Sequence, residues 1–412
     1  MSELSRRDFL KVSGSALVGG VLPLDVFHTL SPENKDPLLE WREIGPHLGN
    51  QDGIRALFVS PHNQNTIVAG TWEKGALQTN DGGSTWNQRL LPHPKDIDPY
   101  INIVRDMIPL KDDLVLVLSD YSISVIKLSD PHFNQDVSIE EDKMTSGPQT
   151  ACVVGDEVII AGFSGVYKTK INKLITHDPT TGVYDWGQPI PVGSLKTHMI
   201  RSVAYDKEHH VIYAGGWLSP KDLQTGNLWP GTGLYVSNDG GESFTKHPLH
   251  DQMLDPNGPM SINTIVTLNF RGHDIVLIGG EGNGVGQTYS PEELPFFRII
   301  IDGKLYDTNL CNNSGLKKAG GYGLVAPQKG IVASVASFNL DQLIKGEKLL
   351  YETVARHGFG EIYFGAGHLC LTHQADGRYQ LATGGRLWTT GNPVQVRVSE
   401  IDNPKKALAK TK

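Results

Sequence analysis

The stretch QTNDGGSTW, Gln78 to Trp86, returns in altered form as VSNDGGESF, Val236 to Phe244, with Asp81 and Asp239 158 residues apart. A chain that writes one turn twice in the same surroundings is assembled from a repeated unit, and this restricts its fold more than any other feature. Around the first copy runs IRALFVSPHNQNTIVAGTWEKGALQTNDGGSTW from Ile54. Around the second runs IRSVAYDKEHHVIYAGGW from Ile200 and, after an insertion, GLYVSNDGGESF. Both read as strand, polar turn, strand ending in Ala-Gly or Ala-Gly-Gly, loop, strand, Asp-Gly-Gly turn and aromatic residue.

The separation divides into three units of about 50 residues, a spacing typical of radially repeated sheets. Weaker copies stand where that spacing puts them: NIVRDMIPLKDDLVLVLSDY from Asn102, TACVVGDEVIIAGFSGVYKTK from Thr150, NTIVTLNFRGHDIVLIGGEGNG from Asn263, YGLVAPQKGIVASVASF from Tyr322 and HLCLTHQADGRYQLATGGRLWTT from His368. With the two sharp copies these make seven. The sequence therefore predicts an all-β chain, a single seven-bladed β-propeller of four-stranded blades, in which neighbouring sheets bury each other's faces and only short edges remain. EWREIGP, Glu40 to Pro46, precedes the first full unit and is expected to add an outer strand to the last blade.

The two sharp copies share Thr/Ser-x-Asp-x-Gly-x-Thr/Ser-aromatic, which resembles the Asp-box, or BNR repeat, of sialidases, tandem-propeller xyloglucanases, sortilin-type receptors and photosystem II assembly-factor propellers. The local physics points to a staple: Asp81 and Asp239 accept bonds from turn N–H groups, Gly83 and Gly241 take dihedrals closed to other residues, and Trp86 and Phe244 pin the turn into the blade. The motif names an architecture and leaves the activity open.

The first residues are a different text. SRRDFLK, Ser5 to Lys11, followed by a short apolar run from Val12 to Leu24, resembles a twin-arginine export signal, and the run is too short to span a bilayer. The boundaries expected are a signal and linker over residues 1–36, the propeller over 37–402 and a basic tail over 403–412, with the mature start between Leu24 and Pro37. Export makes the protein periplasmic or secreted. A net charge of −8 excludes a broad nucleic-acid surface. The three cysteines, Cys152, Cys311 and Cys370, lack CxxC spacing and form neither a disulfide framework nor a zinc site. No metal, cofactor or membrane span of the mature chain is expected, and the expected state is a monomer.

In a propeller the first strand of each blade lines the central channel. Counting back from the end of the second strand gives the channel-mouth positions as Arg55, Arg105, Thr150, Arg201, Thr264, Gly323 and His368. Three arginines gathered in an acidic chain call for an anionic ligand, or for carboxylates such as Asp52 and Asp106 that neutralise a structural ring. The loops after the second strands share that mouth and carry Trp72, Tyr121, Trp217, Trp229 and Glu281. Aromatic faces suit sugar rings and guanidinium forks suit carboxylate or sulfate. His209-His210 lies on the other face, as a solvated turn. Glu361 and Tyr363 resemble the acid and tyrosine of sialidases, but no F/Y-R-I-P precedes any candidate arginine, and FFRII, Phe296 to Ile300, falls on an outer strand.

Two function classes follow. One is a carbohydrate-active or carbohydrate-binding protein that takes a uronate-, sialate- or sulfate-bearing glycan, with Arg55, Arg105, Arg201, Trp72, Trp217 and Trp229 as ligand contacts. As a glycoside hydrolase it would use Glu281 or Glu361 as acid and His368 as base. As a lyase it would use His368 with Tyr322. The other is a non-enzymatic scaffold that binds an acidic peptide, as the resemblance to photosystem assembly factors implies.

Overall fold

The computed structural model describes residues 42–48, 53–89, 91, 103–138, 147–162, 165–178, 180, 184–192, 199–216, 233–253, 260–282, 295–308, 317–319, 322–325, 334–345, 351–356, 366–373, 379–385 and 394–401. The signal segment, the C-terminal tail, Asp52, Trp217, Trp229, Cys311 and Glu361 lie outside the described residues.

The described residues form seven antiparallel sheets with few helices. Strand β1 (Arg42–Leu48) comes first in the chain. The first sheet holds β2 (Ile54–Val59), β3 (Ile67–Thr71), β4 (Ala76–Thr79) and β5 (Asn87–Arg89). The second holds β6 (Val104–Pro109), β7 (Leu114–Ser119), β8 (Ile123–Lys127) and β9 (Asp130–Asp136). The third holds β10 (Pro148–Val154), β11 (Glu157–Gly162) and β12 (Gly165–Lys170), followed by the short helix α1 (Ile171–Ile175). The fourth holds β13 (Ile200–Asp206), β14 (Val211–Gly216), β15 (Leu234–Ser237) and β16 (Thr245–Lys246), followed by α2 (His250–Met253).

The fifth holds β17 (Met260–Phe270), β18 (His273–Gly282), β19 (Pro295–Ile301) and β20 (Lys304–Thr308). The sixth holds β21 (Lys317–Ala319), β22 (Tyr322–Val325), β23 (Ser334–Asn339), the helix α3 (Leu340–Ile344) and β24 (Tyr351–Arg356). The seventh holds β25 (Ala366–His373), β26 (Tyr379–Gly385) and β27 (Val394–Ile401), and β1 from the far end of the sequence pairs with β27 as its fourth strand. The first six sheets each run first strand to last in simple hairpin order, and the seventh runs β25, β26, β27 and then β1.

Two elements depart from the sequence reading. The sixth sheet starts at Lys317, so Tyr322 and Gly323 belong to its second strand, where Ala319 pairs with Tyr322 and Lys318 with Gly323. KKAGGY hides a hairpin because its first strand is only three residues long and lacks an apolar pattern. Among the described residues the third sheet has three strands, with one further bridge, Val166 to Ile190, in which the Ile190 N–H donates to the Val166 carbonyl at 2.7 Å. Pro189 and Pro191 flank that residue and offer no N–H to extend a ladder.

Apolar burial lies between the sheets. Second strands such as LVLVLS and EVIIAG are buried almost throughout, as strands covered on both faces must be. Ile44 and Leu48 of β1 pack on Ile54, Ile67 and Leu77 of the first sheet. Ala56, Phe58 and Val68 meet Val104, Val115 and Val117 of the second. Leu116 and Leu118 meet Ala151, Val158 and Ile160 of the third, and Ile159 and Val166 meet Ile200, Ile212 and Tyr235 of the fourth. Leu234 joins Ile262, Val276 and Ile278 of the fifth. Leu340 and Leu343 of α3 in the sixth sheet then cover Ile275, Leu277 and Ile299 of the fifth. First strands lie beside one another: β21 with β25, β25 with β2, and onward through β6, β10 and β13 to β17.

Candidate ligand-binding face

The register slips by one residue at the same place in six sheets. Ile54 faces Thr71 and Ala56 faces Gly70; Val104 faces Ser119 and Asp106 faces Leu118; Pro148 faces Gly162 and Thr150 faces Ala161. The pattern repeats with Ile200 and Ser202 on Gly216 and Gly215, with Ile262 and Thr264 on Gly280 and Gly279, and with Ala366 and His368 on Gly385 and Gly384. The extra residues are Arg55, Arg105, Gln149, Arg201, Asn263 and Gly367. A bulge places two residues opposite one and frees the extra side chain from the alternation of the strand, a device common beside functional sites.

The structure thus sets Arg55, Arg105 and Arg201 at equivalent positions. It moves the equivalents in the third, fifth and seventh sheets one residue earlier than the sequence count, from Thr150, Thr264 and His368 to Gln149, Asn263 and Gly367. Alternation in a sequence cannot reveal an inserted residue. Only the arginines, which mark their own bulges, were legible.

What each bulge residue meets differs by sheet. The Arg55 side chain is buried, with its guanidinium carbon 4.4 Å from the centroid of the Trp72 ring. Trp72 is the first residue after β3, fixed there by its N–H bond to Gly53 at 2.9 Å. Asp120 takes the same place after β7, its N–H donating to Ile103 at 3.0 Å, and Arg105 grips it with both Nε and Nη2, the latter at 2.7 Å from Oδ2. Both side chains of this pair are mostly shielded, at 19% and 17% exposure. The carboxylate that answers Arg105 is therefore Asp120 and not Asp106. Asp106 accepts instead from the Met107 N–H at 2.9 Å and from the Thr150 hydroxyl at 3.1 Å, which ties the second sheet to the third.

Tyr121, next to Asp120, is 38% exposed, a rare exposure for a large apolar side chain among the described residues. Gln149 is buried and donates to the carbonyl of Gly147 at 3.2 Å. Arg201 is half-buried. The neighbouring Ser202 hydroxyl donates to the carbonyl of Ile262 at 3.0 Å, so the Arg201 and Asn263 bulges adjoin across the seam between the fourth and fifth sheets.

Glycines allow this approach. A Cβ on Gly70 would lie 2.5 Å from Val104 Cγ1, on Gly147 2.4 Å from the Asp120 backbone, and on Gly215 2.4 Å from Ser202 Oγ.

The other candidates fall as follows. Glu281, the last residue but one of β18, pairs with Ser261, at the register position of Trp72 and Asp120. His368 follows the seventh sheet's bulge, and Tyr322 sits on a second strand. Sequence reasoning missed Asp120, Gln149 and Asn263. Asp120 had one usable signal: it occupies in LSDY the place of Trp72 in AGTW.

The opposite face carries the repeated turns. The Asp81 carboxylate accepts from the Thr85 N–H at 2.9 Å and from the Thr85 and Thr79 hydroxyls at 2.7 Å, while Thr79 Oγ1 accepts the Gly83 N–H at 2.9 Å. Asp239 repeats this with Ser243, Ser237 and the Glu242 N–H. The hydroxyls and N–H groups hold the Asp81 carboxyl down at about 2. Asp239 is likewise lowered to about 2, its bonds from Ser237, Ser243 and Glu242 outweighing a larger single effect of burial in the other direction. Each turn also seats on the preceding sheet: Trp86 Nε1 donates to Ile44 of β1 at 2.7 Å, and Lys168 of β12 donates to Gly240 at 3.3 Å.

On this face His209 bridges Asp206 at 3.0 Å and Asp274 at 3.3 Å. Among the described residues no group of three or more His, Cys, Asp or Glu side chains is placed to hold a metal. No described helix is long and apolar enough to cross a membrane.

Among solved structures, the chain is similar to the extracellular domain of a one-component system from B. thetaiotaomicron, at 14% identity and a TM-score of 0.55 over 88% of this chain and 40% of that one. An ancestral GH74 enzyme matches at 11% identity and 0.55, over 86% of this chain and 48% of the enzyme. YCF48 bound to D1 peptide matches at 9% and 0.52, over 90% of this chain and 98% of YCF48. These neighbours are propeller proteins. The fold is that of a β-propeller. This chain spans less than half the length of the first two matches. No family model matches it, and no curated protein sequence does.

Proposed function

We propose that this chain is an exported seven-bladed β-propeller that binds, and acts as glycoside hydrolase or lyase on, an anionic glycan at the face where the bulges open. The seven-bladed ring is supported by seven sheets joined through successive apolar seams, with β1 completing the seventh. Export rests on SRRDFLK and suits a fold shared with an extracellular domain.

The observation that carries the reading is the Arg55–Trp72 pair. A guanidinium held over an indole beside further bulge residues brings together the two side-chain types suited to a carboxylate or sulfate and to a sugar ring. Arg201 repeats the bulge, and Trp217 follows Gly216 in the sequence as Trp72 follows Thr71. Arg105 is paired with Asp120, and Arg55 and Arg201 are the other two bulge arginines proposed to meet the charge of the ligand. Of the proposed acids, Glu281 stands in register with Trp72 and is the better placed. Tyr322, on a second strand, is the weaker partner for a lyase.

A glycan-array screen of the mature protein tests the proposal. Retention of uronate, sialate or sulfated glycans that is lost in Arg55→Ala is expected, and retention of neutral glycans alone would overturn it. The second reading, an acidic peptide held by the same arginines, is favoured by the match over nearly the whole of a propeller solved with a peptide. It predicts that acidic peptides bind where glycans do not.

A further inference from the structure

Basic side chains reach across several of the seams between sheets, and one of them differs in kind from the others. Between the first and second sheets the Arg89 guanidinium donates to the carbonyls of Lys127 and Asp130, both at 2.6 Å. Lys168 of the third sheet pairs with Glu242 of the fourth, and Arg271 of the fifth pairs at 2.7 Å with Asp341 in α3 of the sixth. Arginine and lysine keep their charge throughout the neutral range. Between the fourth and fifth sheets the bridging residue is His209, a side chain that gains and loses its charge there.

Both ring nitrogens of His209 face carboxylates. Nδ1 lies 3.0 Å from Asp206 Oδ2 in its own sheet, and Nε2 lies 3.3 Å from Asp274 Oδ2 in the next. A neutral imidazole has one N–H and can donate to one of them; only the imidazolium donates to both. Other bonds hold the two acids in place: Asp206 accepts from the Glu208 N–H at 3.0 Å, and Asp274 from the Asn269 amide at 3.1 Å.

The surroundings favour the charged ring. The hydrogen bond to Asp206 raises the His209 pKa above its ordinary value, and the charges of Asp206, Asp274 and Glu208 add to it against the opposing effect of desolvation. Tyr213 stays neutral, pushed up to about 12 by burial and then by Asp206 and Asp274. His210 is bonded to the Tyr205 hydroxyl at 2.8 Å, and His273 to Asp302 at 2.7 Å, while Asp302 also accepts the Asp274 N–H at 2.9 Å. Lys207 shares the His209 turn, and Arg271 is paired with Asp341.

We propose that His209 is a proton-operated clasp between the fourth and fifth sheets. As imidazolium it joins Asp206 to Asp274; on losing its proton it releases one of them and leaves two like charges facing across the seam. The clasp closes one end of a seam whose other end bears the Arg201 bulge. There Ser202 bonds to the Ile262 carbonyl, and between the two ends the Thr267 hydroxyl donates to the Tyr205 carbonyl at 3.0 Å. A histidine raised in the folded chain contributes stability that is fully present below its unfolded value and is lost as pH rises through the folded one. The seam is therefore tightest in mild acid and loosens above neutrality, whatever ligand the opposite face takes.

The test uses the mature protein. Backbone hydrogen exchange, corrected for intrinsic rates, is followed in wild type, His209→Gln and His209→Arg, and the His209 ring is titrated by NMR in wild type and Asp274→Asn. Wild-type protection of residues 206–211 and 269–274 should fall about two- to fivefold between about pH 5.5 and about pH 8.5, the effect of an exposed ion pair. In His209→Gln protection should be low and independent of pH. His209→Arg, whose charge is permanent, should hold it at both. The wild-type ring should titrate above the ordinary histidine range, and lower in Asp274→Asn.

Wild-type protection that stays constant with pH, or that falls equally in His209→Gln or His209→Arg, would overturn the clasp, as would a ring titration that Asp274→Asn leaves unchanged. Melting curves identify any variant that does not fold, and the wild-type exchange profile with the remaining variants then decides by the same criteria.

Discussion

Arg55 and Arg105 occupy equivalent bulges in neighbouring sheets and meet different groups, the Trp72 ring and the Asp120 carboxylate. Arg105 and Asp120 are shielded partners, so Arg105→Ala strands a carboxylate and should cost about 2 to 4 kcal/mol of stability, somewhat below the roughly 3 to 5 for a fully buried pair because both side chains keep some exposure. The double variant Arg105→Ala/Asp120→Ala should recover much of that loss. Chemical denaturation of the three proteins checks this, and equal stability of wild type and Arg105→Ala would contradict the pairing.

The turn carboxylates set a pH dependence. A carboxyl lowered to about 2 in the folded chain, from an ordinary 3.8, adds stability that is present above the unfolded value and is lost as pH falls from about 4 toward 2. Asp239→Asn should flatten part of that acid limb and should cost about 1 kcal/mol at neutral pH, a low figure because the carboxylate is exposed and screened. Ligand binding, on the other face, should be unchanged.

At the scale of elements, the repeated turn acts as a rivet between sheets. Gly240 and Gly241 both have positive φ, at 73° and 89°, but a Cβ on Gly240 would meet open space while one on Gly241 would lie 2.6 Å from Ile159 Cδ1 of the preceding sheet. Each alanine carries a left-handed penalty of about 1 kcal/mol, and Gly241→Ala adds overpacking of about 1 to 3 kcal/mol. Melting of the two single variants should rank Gly241→Ala clearly below Gly240→Ala. Equal melting would place the rivet elsewhere.

This element was readable from sequence because a tight turn needs particular residues at fixed offsets: Asp, Gly and an aromatic. The repeated antiparallel sheet was readable for a related reason, since second strands covered on both faces must be apolar along their length. The bulge was not readable, because a one-residue slip changes pairing without changing composition. The sixth sheet's first strand was missed because three polar or small residues leave no periodicity. Gln149 and Asn263 escaped for the first reason, being ordinary polar residues that only the register marks as the extra residues of their bulges.

At the scale of the whole molecule, a strand from early in the sequence completes the last sheet. β1 pairs with β27 through Arg42 to Val398 and Leu48 to Val394, and its Ile44 and Leu48 also fill the seam to the first sheet. A chain starting at residue 50 should lose cooperative unfolding and bind the dye ANS, since the outer edge of β27 and the face of the first sheet are uncovered together. Adding a peptide of residues 40–49 in trans should restore part of the transition. Unchanged melting after truncation would contradict the joined architecture.

The proposed anion-binding face turns on Arg55, which meets an aromatic ring where Arg105 meets an acid. The most direct measurement is calorimetric titration of an anionic oligosaccharide retained in the array screen into wild type and Arg55→Ala, with melting curves from the same preparations. Loss of a charge-assisted contact worth about 1.5 to 3 kcal/mol should weaken binding about ten- to a hundredfold while the melts stay nearly superimposable. Equal affinities, or a collapse of Arg55→Ala stability with no change in affinity, would show that the bulge arginines hold the propeller together and do not bind its ligand.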